Sequence, residues 1–128
     1  MDPVIHFEMP YADAARMANF YGTAFGWQTQ ALGPAMGHYV VATTCEVANG
    51  RPTRPGTING GFFQQPTGGP ALQPSVVIAV ENLQASMAKV RSAGGTVIGE
   101  PMDIPGVGAY VSFIDTEGNR GSMLQPLG

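Results

Sequence analysis

One order of secondary-structure elements occurs twice along this chain, and it constrains the fold more than any other feature of the sequence. In the first pass, Val4 to Met9 alternates apolar and polar residues with the period-two pattern of a strand. Asp13 is placed to cap a helix that ends at Gly26. Three strands are predicted to follow, at 27–31, 38–44 and 57–63. The first pass therefore predicts the order β-α-β-β-β.

The second pass has the same order. A strand is predicted at 75–80, a helix begins after Asn82 and ends at Gly94-Gly95, and strands follow at 96–99, 107–114 and 120–125. Asp13 and Asn82, like Gly26 and Gly95, pair at an offset of 69 residues, as a duplication would produce. We expect one domain over residues 1–128, with module one at about 3–64, a Gly- and Pro-rich linker at about 65–74 and module two at about 75–126.

The fold class follows from how such halves bury their apolar faces. An isolated four-stranded βαβββ unit leaves one face of its sheet uncovered, so two units gain stability by pairing. We predict an α+β fold in which two βαβββ modules form a curved, eight-stranded mixed sheet, a trough with the helices outside. A concave sheet of this kind is a natural site for a small molecule.

Composition and charge exclude several classes of partner. Six Lys and Arg against nine Asp and Glu give a net charge of −3, with no basic stripe that would bind nucleic acid. No stretch approaches the ~18 apolar residues that span a bilayer, and the N-terminus lacks a secretory signal pattern, so we expect a cytoplasmic protein with no membrane partner. Cys45 is the only cysteine, which excludes an intrachain disulfide and a thiolate zinc site. A surface with only 12% charged residues favours a homodimer.

Six short stretches, in order along the chain, carry a family resemblance. They are Val4-Ile5-His6-Phe7-Glu8-Met9-Pro10, Phe20-Tyr21, Phe25-Gly26-Trp27, Ala93-Gly94-Gly95, residues 103–108 (DIPGVG) and residues 115–119 (DTEGN). Together they resemble glyoxalase-like members of the vicinal-oxygen-chelate superfamily, which includes glyoxalases, bleomycin-resistance proteins and dioxygenases. The resemblance implies the glyoxalase/bleomycin-resistance fold of paired βαβββ modules.

The resemblance also implies where a metal would be held. In active metalloenzymes of that superfamily, His, Gln or Glu side chains on the first and fourth strands of both modules bind a divalent ion. His6 occupies the first-strand position, whereas the other positions correspond to about Asn59, Ser75 and Ser122. Serine hydroxyls do not replace histidine and glutamate around a divalent ion. Three of the four ligands are therefore missing or poor, so we expect no cofactor, with a divalent metal at His6 as the alternative.

Other candidate site residues come from strand alternation. His6 and Glu8 share one face of the first strand and form the candidate catalytic pair, a base with its orienting carboxylate. The simpler interpretation is that they are two polar residues without a catalytic role. Candidate ligand-binding residues are predicted where side chains would face the trough, namely Tyr39, Asn59, Ser75, Tyr110, Ser122 and Met123.

Three functions follow from these residues and from the resemblance. The leading hypothesis is a glyoxalase/bleomycin-resistance-like protein that binds a small organic molecule in the trough without the full metal site. The first alternative is a metal-dependent glyoxalase-like lyase or isomerase, in which a metal bound through His6, Glu8 and residues of a partner subunit stabilises an enolate. The second alternative is a non-catalytic interaction module with a filled trough. These three functions leave open whether the chain is an enzyme.

Overall fold

The computed structural model describes every residue, Met1–Gly128, and the chain divides into two compact units. The N-terminal unit is His6–Pro74, and the C-terminal unit is Met1–Ile5 together with Ser75–Gly128. Residues 65–74, the predicted linker, contain no helix or strand. The first five residues group with the second half of the chain, a feature that the sequence did not indicate.

The N-terminal unit contains one helix and one four-stranded sheet. Its elements are β1 (Val4–Tyr11), whose first two residues belong to the other unit, α1 (Ala14–Phe25), β2 (Gln28–Ala31), β3 (Val40–Thr43), the short hairpin β4 (Val47–Ala48) and β5 (Arg51–Pro52), and β6 (Asn59–Gln64). The strand order is β2-β3-β6-β1, in which β1 and β6 are parallel and the other neighbours are antiparallel.

Local sequence signals explain where α1 starts and stops. The Asp13 carboxylate accepts the Arg16 backbone N–H at 2.9 Å, and Gly26 ends the helix in the left-handed conformation with φ 74°. One face of α1 then packs on the sheet over a core of Tyr11, Val40, Ala42 and Phe62, all less than 9% exposed. Helix and sheet therefore bury each other, as the one-sided apolar pattern of the helix predicted.

Strand β3 begins two residues later than predicted. Residues 34–36 form a 3₁₀ turn, and Gly37 and His38 both have left-handed backbone, with φ 62° and 59°. The Tyr11 hydroxyl donates to the His38 carbonyl at 2.7 Å, which fixes this turn against β1. His38 consequently lies in the turn and not in the strand to which it was assigned.

The hairpin of β4 and β5 lies in a segment for which no strands were predicted. Its two-residue connection is Asn49-Gly50, with φ 54° and 75°. An Asn-Gly pair with positive φ at both positions is the preferred tight hairpin turn. The signal was present in the sequence, but strands of two residues have too little periodicity to support it.

The C-terminal unit repeats the same architecture. Its helix and strands are β7 (Ser75–Ala79), α2 (Leu83–Ser92), β8 (Thr96–Ile104), β9 (Gly108–Ile114) and β10 (Arg120–Pro126). The strand order is β7-β10-β9-β8, with β7 and β10 parallel and the others antiparallel. The core consists of Val80, Leu83, Met87, Val111 and Met123. The α+β class and the two βαβββ halves predicted from the sequence are confirmed.

Two details of this unit differ from the prediction. Strand β8 continues from Thr96 to Ile104, beyond the predicted end at Gly99, because its register shifts between Ile98 and Met102 and pairing with β9 resumes. At the end of α2, Gly94 and not Gly95 adopts the left-handed conformation, with φ 100°. The equivalence of Gly26 and Gly95 therefore holds in sequence but not in backbone conformation.

Candidate functional site

Three predicted residues come together on the face of the N-terminal sheet opposite α1. Alternation along β1 directs Phe7 and Met9 toward α1, and so it directs His6 and Glu8 to the other face. His6 Nε2 and the Tyr39 hydroxyl are hydrogen-bonded at 2.8 Å, and the two rings are nearly parallel, 19° apart. Glu8 is 8% exposed. We call His6, Glu8 and Tyr39 the polar triad.

A glycine pair in β6 lets Tyr39 reach His6. A Cβ atom on Gly61 would overlap the hydroxyl and ring carbons of Tyr39, whereas a Cβ on the preceding Gly60 would meet the ring of Phe7. Successive residues of a strand point to opposite faces. The pair therefore admits one aromatic ring on each face of the sheet. No pattern in the sequence indicated this steric role of the two glycines.

Burial determines the protonation of His6. Desolvation lowers the pKa of His6 from its usual 6.5, and the charge of Glu8 partly opposes that shift. The ring is therefore neutral at pH 7, with one nitrogen as donor and the other as acceptor. The tautomer decides the direction of the hydrogen bond between His6 and Tyr39: Nε2 either accepts the Tyr39 hydroxyl proton or donates its own proton to the Tyr39 oxygen.

Asn59 belongs to the same unit but is held by other contacts. Its Oδ1 accepts hydrogen bonds from the Thr44 N–H at 2.7 Å and from the Cys45 N–H and Sγ, both at 3.3 Å. These contacts fasten the chain after β3 to the start of β6. The oxygen that would bind a metal or a ligand is therefore already in use, and the role of Asn59 in ligand binding stays a prediction.

The donor set does not match what a divalent ion requires. Such an ion commonly takes three or four convergent N or O donors with at least one anion among them. His6 and Glu8 supply two, and His6 Nε2 is shared with Tyr39. The structure contains no group of three or more His, Cys, Asp or Glu side chains that could hold a metal. We therefore derive no chemical step through a metal ion.

The C-terminal unit has a chain of hydroxyl groups on the face of its sheet opposite α2. Ser122 Oγ lies 2.7 Å from the Tyr110 hydroxyl and 3.0 Å from Ser112 Oγ. Ser122 is 2% exposed and Ser112 is 7% exposed. Tyr110 and Ser122 were predicted. Ser112 was missed, although it lies two residues from Tyr110 on β9 and alternation would have placed it on the same face.

The remaining two predicted residues of this unit do not join that chain. Met123 is 3% exposed and packs in the core with Met87 and Val111, on the side of the sheet that α2 covers. Its neighbour Ser122 points the other way, so Met123 does not share a face with Tyr110 and Ser122, and its role in ligand binding stays a prediction. Ser75 is half-buried at the start of β7, and its role in ligand binding stays a prediction.

The D-x-E-G-N stretch that supported the family resemblance forms the turn between β9 and β10. Asp115 Oδ1 accepts the Glu117 and Asn119 N–H groups at 2.8 and 2.9 Å, and Oδ2 accepts the Asn119 side-chain amide at 3.0 Å. These hydrogen bonds, chiefly those from Asn119, lower the pKa of Asp115 from its usual 3.8. Gly118 completes the turn with φ 84°. The motif thus forms the turn that joins the two antiparallel strands β9 and β10.

Comparisons with known proteins agree with this architecture. Residues 4–45 match the family model described as bleomycin resistance protein-like N-terminal. CFP32 of Mycobacterium tuberculosis, a candidate glyoxylase, is 40% identical over 67 residues, which is 52% of this chain and 26% of that protein. The anthracycline biosynthesis protein DnrV of Streptomyces peucetius is 30% identical over 125 residues, 88% of this chain and 42% of that protein. The chain thus spans less than half of the length of these relatives.

Solved structures share the whole fold at low sequence identity. Methylmalonyl-CoA epimerase from Mycobacterium tuberculosis superposes with a TM-score of 0.66 at 15% identity, covering 98% of this chain and 88% of that one. A variant of the Streptomyces coelicolor epimerase, in complex with 2-nitronate-propionyl-CoA, superposes with a TM-score of 0.69 at 13% identity. The superposition covers 98% of this chain and 97% of that one. With the two βαβββ units and the matched N-terminal model, these likenesses show that the chain has the glyoxalase/bleomycin-resistance-like fold of the vicinal-oxygen-chelate superfamily.

Proposed function

We propose that the chain binds a small organic molecule at the polar triad, without a resident metal ion. The observation that carries the proposal is the 2.8 Å hydrogen bond between His6 and Tyr39 beside the buried Glu8. Polar groups grouped on a sheet face orient a ligand and give specificity. A face that served only for packing would be lined by apolar side chains instead.

The register of the sheet places apolar surface next to the triad. Glu8 is aligned with Gly61 across β1 and β6, and Gly61 is aligned with Val41 across β6 and β3, so the three residues form one row. Phe63 lies two residues beyond Gly61 on the same face. A ligand on this face would meet hydrogen-bonding groups at β1 and apolar groups at β3 and β6. This combination is typical of small-molecule sites.

The names of similar proteins support a small-molecule ligand. They refer to bleomycin resistance, to anthracycline biosynthesis and to complexes with coenzyme A esters. These compounds differ in charge and shape, so the names support the class of ligand and not one compound. Binding that sequesters the ligand requires no third metal ligand, in agreement with the donor set of this chain.

A metal-dependent lyase or isomerase is the second candidate. It is favoured by the presence of one nitrogen and one carboxylate donor, His6 and Glu8, on one strand face, and by relatives named for a glyoxylase and an epimerase. Further donors would have to come from outside the N-terminal unit, for example from a second copy in the homodimer that we propose. A monomeric mass in light scattering would contradict the dimer.

Binding and metal content together test the proposal. Chelator-treated protein is titrated calorimetrically with bleomycin, daunorubicin and methylmalonyl-CoA, and its metal content is measured by elemental analysis. We expect at least one compound to bind metal-free protein, and Tyr39→Phe to weaken that binding about 5- to 10-fold, the effect of one lost hydrogen bond. Tyr21→Phe is the matched control, because its hydroxyl lies on the α1 side near Met9.

Two results would overturn the proposal. The first is binding that appears only after a divalent salt is added, with about one ion retained per chain, which would favour the lyase or isomerase. The second is equal binding by the Tyr39→Phe and Tyr21→Phe proteins, because the ligand would then not contact the polar triad.

A further inference from the structure

A cavity of about 370 Å³ lies between α2 and the sheet of the C-terminal unit, within the range of about 300–1,000 Å³ that is typical of small-molecule sites. Its lining combines apolar side chains of the helix and the sheet with three polar side chains. The lining residues include Ile78, Val90, Phe113, Asp2, Ser86 and Lys89. We propose that this α2 cavity binds an apolar α-amino acid, with the side chain inside and the ammonium and carboxylate groups at the mouth. The polar triad belongs to the other unit and takes no part in this site.

The two units fill the space between helix and sheet differently. In the N-terminal unit, aromatic rings occupy it: the ring centroid of Tyr21 lies 4.7 Å from that of Trp27 and 5.2 Å from that of Phe62. At the offset of 69 residues that relates the two halves of the sequence, Val90 corresponds to Tyr21. At the same offset, Thr96 corresponds to Trp27. Two rings of the first unit are therefore replaced by smaller side chains in the second.

The strand registers identify a third replacement. Met9 is aligned with Phe62 across β1 and β6. Its counterpart at the same offset, Ile78, is aligned with Met123 across β7 and β10, so Met123 stands where the N-terminal unit has Phe62. One ring is returned, because Phe113 occupies a position where the N-terminal unit has an alanine. The exchange of three rings for one leaves a space that the apolar group of a ligand can fill.

The wall of the α2 cavity favours an apolar side chain. Ile78, Val90 and Phe113 pack against the core of the unit and also line the cavity. Transfer of an apolar group from water onto such a surface is favourable in proportion to the area removed from water. The Phe113 ring would add an aromatic contact to a ligand that carries a ring. An aromatic or branched aliphatic side chain therefore fits this wall better than a polar one.

The polar side chains of the lining define the charged end of the ligand. At the positions of Ser86 and Lys89, the N-terminal helix has methionine and phenylalanine. Lys89 and Asp2 are exposed and line the cavity, so their charges lie at its mouth. A ligand with a single charge would be attracted by one of them and repelled by the other. A zwitterion can pair its carboxylate with Lys89 and its ammonium group with Asp2, as an α-amino acid would.

Four probes separate the side chain of the ligand from its charged groups. L-phenylalanine carries both charges at pH 7, whereas 3-phenylpropionate lacks the ammonium group, phenethylamine lacks the carboxylate and glycine lacks the side chain. Each is titrated into the ¹⁵N-labelled full chain, and backbone shifts are followed by NMR. We expect L-phenylalanine to bind at least about 10-fold more tightly than glycine. It should bind about 3-fold more tightly than the two singly charged probes, because exposed ion pairs contribute modestly. The largest shifts should occur at Ser86, Lys89 and Val90.

Substitution of Val90 tests the shape of the cavity. Val90→Tyr restores the ring that the N-terminal unit has at this position, so it should weaken binding of L-phenylalanine at least about 10-fold. Ala88→Tyr, at an exposed position of the same helix, adds the same ring outside the cavity and should leave binding unchanged. If Val90→Tyr fails to fold, Ser86→Met, which restores the methionine of α1, takes its place and should also weaken binding.

Substitution of the charged residues tests the mouth of the cavity. Lys89→Gln should remove the preference for L-phenylalanine over phenethylamine, whereas Arg91→Gln, at an exposed residue of the same helix, changes the net charge equally and should keep it. Asp2→Asn should remove the preference for L-phenylalanine over 3-phenylpropionate. Glu81→Gln, at an exposed glutamate of the same unit, is its matched control.

Any of three results would overturn this proposal. Glycine that binds as tightly as L-phenylalanine, or binding of L-phenylalanine that Val90→Tyr and Ser86→Met leave unchanged, would mean that the cavity does not hold the side chain. A singly charged probe that binds as tightly as L-phenylalanine, or a preference that survives in Lys89→Gln and Asp2→Asn, would mean that the mouth does not select an amino acid. Shifts confined to the polar triad, or no shifts with any probe, would mean that the α2 cavity is not a binding site, whereas binding at the triad is tested by its own ligands.

Discussion

Substitution of Gly61 by alanine tests the geometry that brings Tyr39 to His6. The new Cβ atom would occupy the position of the Tyr39 hydroxyl and ring carbons. These atoms are at the far end of a side chain that can rotate, so we expect Tyr39 to swing off the sheet and the backbone to stay in place. The His6–Tyr39 hydrogen bond at 2.8 Å would then be lost.

The expected change in the free energy of unfolding combines two losses and one gain. Loss of one partly buried hydrogen bond costs about 0.5–1.5 kcal/mol, and exposure of part of the Tyr39 ring costs about 1 kcal/mol. Replacement of glycine by alanine in a strand returns roughly 0.5–1 kcal/mol through the unfolded state. We expect Gly61→Ala to lower the free energy of unfolding by about 0.5–2 kcal/mol, measured by urea denaturation at pH 7.5.

A double-mutant cycle identifies the cause of that loss. In a Tyr39→Ala background the obstacle is absent, so Gly61→Ala should be neutral or stabilising by up to about 1 kcal/mol. The coupling energy between positions 39 and 61 should therefore exceed about 1 kcal/mol, above the few tenths expected of independent sites. Equal costs of Gly61→Ala in both backgrounds would refute the argument that Gly61 exists to accommodate Tyr39.

Three other side chains give independent tests of charge, hydrogen bonding and packing. The pKa of His6 is lowered from 6.5 by burial, so the unfolded chain takes up its proton first as the pH falls. The free energy of unfolding should therefore fall below pH 6.5, and urea unfolding from pH 7.5 to 5 measures this fall. The fall should disappear in His6→Asn and persist in His38→Asn. A fall that persists in both variants would contradict its assignment to His6. Ser122→Ala should lower the free energy of unfolding, measured by urea denaturation, by about 1–3 kcal/mol, because the hydroxyls of Tyr110 and Ser112 lose their shared partner. A change near zero would mean that these hydrogen bonds do not contribute to stability. Met87 is 4% exposed, so Met87→Ala should lower the free energy of unfolding by about 2–5 kcal/mol. Met102 is 57% exposed, so Met102→Ala should lower it by less than about 0.5 kcal/mol. Similar losses for the two variants in thermal melts would contradict the assignment of Met87 to the core.

Helix caps and strand alternation were sufficient to predict both helices and the eight longer strands, but not the β4–β5 hairpin. Asp13 and Asn82 each accept a backbone N–H three residues ahead, at 2.9 Å in both cases. Such caps act within one turn of the chain, so they can be identified from a short stretch of sequence. The start of β3 could not be predicted in the same way, because the backbone of His38 is held by the Tyr11 hydroxyl, 27 residues away.

The site was predicted in its parts but not in its contacts. The alternation of side chains along a strand predicted that His6 and Glu8 share one face of β1. The structure confirms this, because Phe7 and Met9 pack on the other face. The contact between His6 and Tyr39 joins residues 33 apart in sequence and depends on the missing side chain of Gly61. No local pattern encodes that dependence. The face on which Met123 lies depends on strand register, because a shift of one residue reverses the face of every side chain.

The most direct test of small-molecule binding at the polar triad is an NMR titration of metal-free protein. The ¹⁵N-labelled chain, treated with chelator, is titrated with bleomycin, daunorubicin and methylmalonyl-CoA in turn. We expect at least one compound to shift the backbone signals of His6, Glu8 and Tyr39 in saturable fashion, and Tyr39→Phe to need about 5- to 10-fold more of that compound for the same shifts. Spectra that stay unchanged until a divalent ion is added would contradict it.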